Sequence, residues 1–294
     1  MITRPMLAGK CEVSEMLRFP VLATPKLDGI RCLKVGGRAL TRSFNPIPNR
    51  FVREWIEANL PDGVDGELML RCGKFSETTS AIGRKDGEPD FVFHIFDFVS
   101  AGCDEPYQQR MGKLATLPGY ARTQKVLPVE ICNMAGLAAF ENRCLAEGYE
   151  GVMVRTPGSP YKCGRSTACE GWLLKIKRFE DSEAVVVDCV EGMSNLNPAE
   201  KDAFGRTKRS GSKEHKIGRG TLGALLVRDL QSGIEFRLSG FDTFTASAIW
   251  ANQASAIGRI VKFRHQPSGA KDAPRFPKFI GFRERWDMGQ EVAR

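Results

Sequence analysis

The chain has 294 residues, 42% of them hydrophobic and 27% charged. That balance excludes wholesale disorder, and the length suits two domains. The 43 Lys and Arg against 35 Asp and Glu give a net charge of +8, which points to an anionic partner such as nucleic acid or a phosphorylated ligand.

No uninterrupted apolar run approaches the roughly 18 residues of a membrane span. The longest candidate, residues 91–99, is broken by His94 and Asp97. The first ten residues lack the apolar stretch of a signal peptide. No membrane partner is therefore expected. The nine cysteines are odd in number, scattered, and free of any Cys-x-x-Cys pair. They argue against a disulfide framework or zinc ribbon and for a reducing compartment, with the thiols acting as small apolar side chains. His94, His215 and His265 are too far apart in sequence to suggest a histidine metal site.

In chain order, the first half alternates helical and extended patterns. Residues 30–34 read as a strand. Residues 49–60 place Phe51, Val52, Trp55, Ile56 and Leu60 at helical spacing. Strands follow at 67–70 and 91–99. A helix over 134–147 carries the stripe Leu137, Phe140, Cys144 and Leu145, with Gly148 as its stop. Strands at 152–155 and 172–177 close this half, which reads as α+β. From about residue 181 the pattern becomes β-rich, with runs at 184–190, 222–228, 235–238, 259–264 and 278–282. A helix over 245–254 sits between the third and fourth runs. Five strands with a helix in that gap match the elements of an OB-fold barrel. The expected domains are 1–180 and 181–294.

Between the first two of these runs lies a polar insertion at about 193–221. From residue 201 to 219 it carries seven Lys or Arg against Asp202 and Glu214, with Phe204 and Ile217 as its large apolar residues. Such a segment is expected to form no core and to make a mobile loop or hairpin. Its one-sided charge, including Arg206, Lys208, Arg209, Lys213 and Lys216, suits the phosphate backbone of DNA.

The sharpest local feature is Thr24-Pro-Lys-Leu-Asp-Gly-Ile-Arg31. A lysine amine attacks phosphorus only when deprotonated, and nearby cations or desolvation favour that form. Arg31 and Arg42 supply positive charge and can grip phosphates. Asp28-Gly29 allows a tight turn that brings backbone close to a ligand. Further on, Asp65-Gly-Glu-Leu68 and Glu150-Gly-Val-Met-Val-Arg155 offer carboxylates, and Phe96-Asp-Phe98 offers aromatic faces. In Trp172-Leu-Leu-Lys-Ile-Lys177, strand alternation sets Lys175 and Lys177 on one face, with Leu174 and Ile176 behind them. Taken alone, the lysine pair reads equally as a solvated strand face.

In this order the five segments resemble motifs I, III, IIIa, IV and V of the covalent nucleotidyltransferase superfamily, specifically the ATP-dependent DNA ligases. The resemblance covers nearly the whole chain. Residues 204–210 and 271–283 look most like the minimal ligases of Chlorella virus and bacteriophages. The family implies a nucleotidyltransferase (ATP-grasp-like) domain followed by the five-stranded OB-fold. It implies ATP as cofactor, with AMP carried covalently on Lys26, and Mg²⁺ or Mn²⁺ at Glu67, Glu150 and Asp28. Thr24 would lie at the adenine edge, Phe96 on its face and Glu67 at the ribose. Arg31, Arg42, Lys175 and Lys177 would meet phosphates, with Arg31, Lys175 and Lys177 joining Lys26 in catalysis. Arg42 would also contact DNA. Motif VI departs from the longer ligases: Arg283-Glu-Arg285-Trp-Asp287 stands in its place, with Arg283 and Arg285 as the nucleotide contacts.

The implied activity is sealing of nicks in duplex DNA, in repair, replication or recombination. The insertion would be a latch around the duplex, and the hinge for domain movement would lie near residues 178–182. A monomer in the cytoplasm of a bacterial or virus-infected cell is expected. The alternatives of shared chemistry are an RNA ligase and an mRNA capping guanylyltransferase. The alternative of another class is a non-catalytic nucleic-acid-binding OB protein.

Overall fold

The computed structural model describes residues 2–10, 17–176, 179–266 and 273–283. Lys177, Arg178, Arg285 and Asp287, singled out above, lie outside the described residues. The chain divides into two compact units. One comprises Met1–Lys177 with Lys201–Lys208; the other comprises Arg178–Glu200 with Arg209–Arg294. The insertion expected to belong wholly to the OB-fold is thus shared between the units.

The first unit runs β1 (Gly9–Lys10), β2 (Val21–Pro25), β3 (Ile30–Val35), β4 (Arg38–Thr41), α1 (Arg50–Asn59), β5 (Val64–Leu70), α2 (Phe75–Gly83) and β6 (Phe91–Phe98). It continues through α3 (Tyr107–Thr116), β7 (Thr123–Lys125), β8 (Val129–Ile131), α4 (Met134–Ala146), β9 (Val152–Arg155) and β10 (Leu174–Ile176). Helices α1 and α4 start where the sequence places a cap. Asn49 accepts a hydrogen bond from Val52 N at 3.0 Å, and Asn133 accepts one from Gly136 N at 2.8 Å. α4 ends before Gly148, whose φ of +86° suits a residue without a side chain.

The strands form two five-stranded sheets, ordered β1-β10-β9-β2-β8 and β4-β3-β5-β6-β7. Each sheet buries one face against helices. On the first, Val21 and Ala23 of β2, Val152 and Val154 of β9 and Leu174 of β10 pack against Leu137, Phe140 and Cys144 of α4. On the second, Ile30, Leu68, Phe91, Phe93 and Ile95 pack against Val52 and Ile56 of α1, Ile82 of α2 and Leu114 of α3. Strand alternation then leaves Met153, Arg155 and Lys175 on the other face of the first sheet. Between β5 and β6 the register shifts: Asp65 pairs with Asp97 while Gly66 pairs with Ile95. Phe96 is therefore the extra residue of a β-bulge, a device that re-aims one side chain.

Phe204 departs from expectation. It is only 8% exposed and joins the core of α1, α2 and the second sheet. Asn45 Nδ2 donates to Phe204 O at 3.5 Å. A segment too polar to make its own core still contributes one aromatic ring to a core that other residues have built.

The second unit holds β11 (Glu180–Asn195), β14 (Lys216–Asp229), β15 (Glu235–Leu238), α5 (Thr243–Ala251), β16 (Ile260–Gln266) and β17 (Arg275–Phe282). The short β12 (Ala199–Lys201) and β13 (Thr207–Arg209) pair in the insertion. The sheet order is β15-β14-β11-β16-β17. Its edges meet where Ser239 bridges Lys278 and Phe279 N donates to Ser239 O at 2.9 Å, so the sheet curls into the expected OB-like barrel. β11 and β14 extend further than expected and pair as far as Asn195 with Lys216, so the base of the insertion is a β-ribbon. No helix among the described residues is long and apolar enough to cross a membrane.

Candidate active site

A cleft of about 220 Å³ lies in the first unit, between its two sheets. Thr24, Met153, Arg155 and Lys175 line it from one sheet, and Arg31, Glu67 and Phe96 from the other. Lys26, Arg42, Tyr107 and Arg165 complete the polar wall, and Leu7, Ala8, Leu27 and Leu173 supply apolar surface.

Lys26 follows β2 directly. Its amide donates to Gly151 O at 2.9 Å, which ties the loop to the start of β9. Its Nζ makes a short ion pair with Glu150, and both side chains are largely buried, at 19% and 6% exposure. The loop turns at Gly29, where a Cβ would lie 2.4 Å from Leu68 O and 2.9 Å from Glu67 Cγ. Only glycine lets the loop press so closely on β5.

Arg31 and Glu67 are cross-strand partners on β3 and β5. Burial pushes the Glu67 carboxyl up to about 7, against the opposing pull of Arg31 and Lys26. Arg31 forms a fork with buried Asp65: Nε to Oδ1 at 2.5 Å and Nη2 to Oδ2 at 2.6 Å. Tyr161 donates to the same carboxylate at 2.6 Å. The Arg31 guanidinium also lies 4.7 Å from the centroid of Phe96, over its ring. Burial works against the Arg31 charge, but Asp65 more than offsets it and raises the pKa.

Behind Phe96 sits a fully buried carboxylate, Asp97. Arg110 Nε reaches its Oδ1 at 2.8 Å, and Arg155 Nη1 makes a short bond to its Oδ2. Burial alone would raise the Asp97 carboxyl. The two guanidiniums outweigh it and hold the group below the ordinary carboxylate range. The network anchors Arg155 by one end, with its side chain in the cleft wall.

The structure thus brings Thr24, Lys26, Arg31, Arg42, Glu67, Phe96 and Lys175 around one cleft, with Glu150 on the amine of Lys26. It does not bring the three candidate metal carboxylates together: among the described residues no trio of His, Cys, Asp or Glu could hold an ion. Asp28 lies in the Lys26 loop but outside the cleft lining. Arg283 belongs to the second unit, where its Nε meets Glu183 Oε1 at 2.5 Å. Of the basic insertion, Arg206 pairs with Asp202 at 3.0 Å, Arg209 Nη1 bonds Asn197 O, and Lys216 Nζ donates to Gly211 O at 2.9 Å. Lys208 and Lys213 are exposed. Sequence reasoning assigned no role to Arg155, Tyr107, Arg165, Asp65 or Asp97. Arg155, Asp65 and Asp97 stand inside the quoted motifs, so a charged residue next to a strand of apolar neighbours was the available signal.

Comparison with known proteins shows the family. The ATP dependent DNA ligase domain family matches residues 5–177, and the DNA ligase OB-like domain family matches residues 216–283. A probable DNA ligase of Mycolicibacterium vanbaalenii is 30% identical over 219 residues, covering 62% of this chain and 38% of the relative. One from Mycolicibacterium paratuberculosis is 32% identical over 213 residues, covering 62% and 40%. The chain thus spans only 38% and 40% of the lengths of these two relatives. Among solved structures, Chlorella virus DNA ligase–adenylate is 34% identical with a TM-score of 0.58, covering 97% of this chain and 99% of that one. A Lig E DNA ligase is 25% identical with a TM-score of 0.70, covering 96% and 100%. With the ligase domain matched over nearly all of residues 1–177 and an OB-like domain following it, the chain belongs to the ATP-dependent DNA ligase family.

Proposed function

We propose that the protein seals nicks with 3′-hydroxyl and 5′-phosphate ends in duplex DNA, using ATP through a covalent lysyl-AMP on Lys26. The observation that carries this reading is the Lys26 amine, held by Glu150 at a cleft that also gathers Arg31, Arg42, Lys175, Glu67 and Phe96. Cations, an aromatic ring and a carboxylate around one space match the phosphates, base and sugar of a nucleotide.

Three displacements at phosphorus share the site. Lys26 Nζ attacks the α-phosphorus of ATP, forming a P–N bond and releasing pyrophosphate. An oxygen of the nick's 5′-phosphate then attacks the same phosphorus and breaks the P–N bond. Finally the 3′-hydroxyl attacks the 5′-phosphorus, and AMP leaves. The covalent intermediate splits one difficult displacement into easier ones. Glu150 orients the amine, and Arg42 and Lys175 stabilise charge on the transferring phosphate. Arg31 is held by Asp65, so its charge is in place before the ligand arrives.

Among the described residues, a divalent cation fits in a mode that shares its coordination with the nucleotide. With no trio available among the described residues, Glu150 would hold the ion alongside the nucleotide's own phosphates, as Mg²⁺ commonly binds. It would neutralise phosphate oxygens as charge develops. The exposed cations of the insertion would grip the DNA backbone without reading sequence.

Incubation with ATP and Mg²⁺ followed by intact-mass measurement tests the reading. The mass should rise by one AMP and fall back on addition of nicked DNA. A GMP adduct from GTP would indicate capping chemistry instead, and discharge only on nicked RNA would indicate an RNA ligase. DNA binding with no nucleotide adduct would overturn the enzymatic reading.

A further inference from the structure

Two of the cysteines meet in the fold although 60 positions separate them: the sulfurs of Cys103 and Cys163 lie 4.0 Å apart. Cys103 stands in the turn after β6, and Cys163 in the connection from β9 to β10. Both are half-buried against the small core of Ile2, Met6, Leu33 and Leu173. The two loops are already joined, since Tyr161 N donates to Cys103 O at 2.7 Å. Thr3 N donates to Cys163 Sγ at 3.5 Å.

We propose that Cys103 and Cys163 form a reversible modification site, a dithiol that a peroxide converts to an intramolecular disulfide. A disulfide needs a sulfur separation of about 2.05 Å, so about 2 Å must close, or ~1 Å per sulfur, which side-chain rotation can supply. The backbone bond between Tyr161 and Cys103 keeps the two loops in register while this happens.

The pair is chemically unequal, which suits one sulfur to attack and the other to resolve. Burial opposes the Cys163 thiolate, but the donors of Thr3 and Arg4 outweigh burial and lower its pKa. Burial and the neighbouring Cys163 push the Cys103 thiol up. The Cys163 thiolate attacks hydrogen peroxide, forming a sulfenic acid and releasing hydroxide. Cys103 then attacks that sulfur, the S–O bond breaks and water leaves. The two thiols lose two protons and two electrons in total, and the peroxide takes up both and becomes two waters.

The staple would lie against the wall of the cleft. Tyr161, two residues before Cys163, donates to the Asp65 carboxylate that holds Arg31. Gly164, one residue after it, accepts from Leu7 N at 2.7 Å, and Leu7 lines the cleft. Closing a 60-residue loop would stabilise the folded chain by restricting the unfolded one.

The test uses the full chain, with hydrogen peroxide as oxidant and peptide mapping as readout. The expected result is one linked peptide pair joining Cys103 to Cys163. The thermal midpoint should rise by on the order of 5 °C and return on adding a dithiol reductant. Cys103→Ser should abolish both the link and the shift and leave a sulfenic acid at Cys163 that dimedone traps. If that variant does not fold, Cys103→Ala and alkylation of the wild-type chain decide, with iodoacetamide reacting at Cys163 ahead of Cys103. Disulfides that join the exposed Cys72, Cys132 or Cys169 while Cys103 and Cys163 stay reduced would overturn the proposal. Intermolecular links through Cys163 would do the same.

Discussion

The molecule carries its positive charge in two contrasting ways. In and behind the cleft of the first unit, Arg110 and Arg155 are buried, Arg31 is half-buried, and each is locked to a carboxylate, Asp65 or Asp97. In the insertion, Lys208 and Lys213 are exposed, and Arg206 shares a surface pair with Asp202. A buried charge without its partner is costly, so the first set is fixed in place and able to hold a ligand in one geometry. Exposed pairs contribute little and rearrange easily, so the second set suits a long polyanion met in any register. On the proposed function, the contrast would separate a region built for chemistry from one built for grip.

The largest break should come from Lys26→Ala. It should abolish the AMP adduct measured by intact mass while leaving DNA affinity in gel shifts near the wild-type value. An adduct that persists would place the nucleophile elsewhere.

Removing the carboxylate under the cleft should be the next largest effect. Asp97→Ala leaves the guanidiniums of Arg110 and Arg155 without their buried partner. We expect a loss of about 3–5 kcal/mol in denaturant unfolding, far more than any insertion variant. A loss below about 1 kcal/mol would show that water reaches the network.

The pH dependence of Glu67 sharpens the same point. Its folded pKa, about 7, stands above the ordinary 4.5. The folded state therefore binds the proton more tightly than the unfolded state. The stabilisation is complete below the unfolded value and is lost as pH rises through about 7. Between about pH 5 and pH 8 the wild-type thermal midpoint should fall more than that of Glu67→Gln. Equal slopes would mean that the carboxyl titrates normally.

The smallest effects belong to the insertion. Lys208→Ala or Lys213→Ala should weaken DNA binding uniformly across sequences and reduce the salt slope by about 1 each. Neither should change adduct formation. Deleting residues 201–219 is a poorer test, because it also removes Phe204 from the core of the first unit.

Several elements were legible because they satisfy local rules. α1 and α4 carry apolar stripes and asparagine caps, and both were anticipated within two residues at each end. The strands β3, β9 and β15, rich in apolar residues, also stood where expected. By contrast, β2, β4, α2 and α3 went unnoticed. α2 reads Phe-Ser-Glu-Thr-Thr-Ser-Ala-Ile-Gly, a sequence with weak helical preference. Such elements form because neighbouring strands and side chains complete them.

The candidate site divides along the same line. The amino-acid order alone determined the family and the two-part α+β and OB-like organisation, and it singled out Lys26 as the candidate nucleophile, because spaced motifs and local periodicity are written residue by residue. Only the tertiary structure decided that Phe96 is re-aimed by a bulge, that Asp97 binds Arg110 and Arg155, that Phe204 is buried and that Cys103 meets Cys163. Each of these depends on contacts between residues distant in the chain. No local pattern encodes such contacts; they follow from how the two sheets and their loops pack.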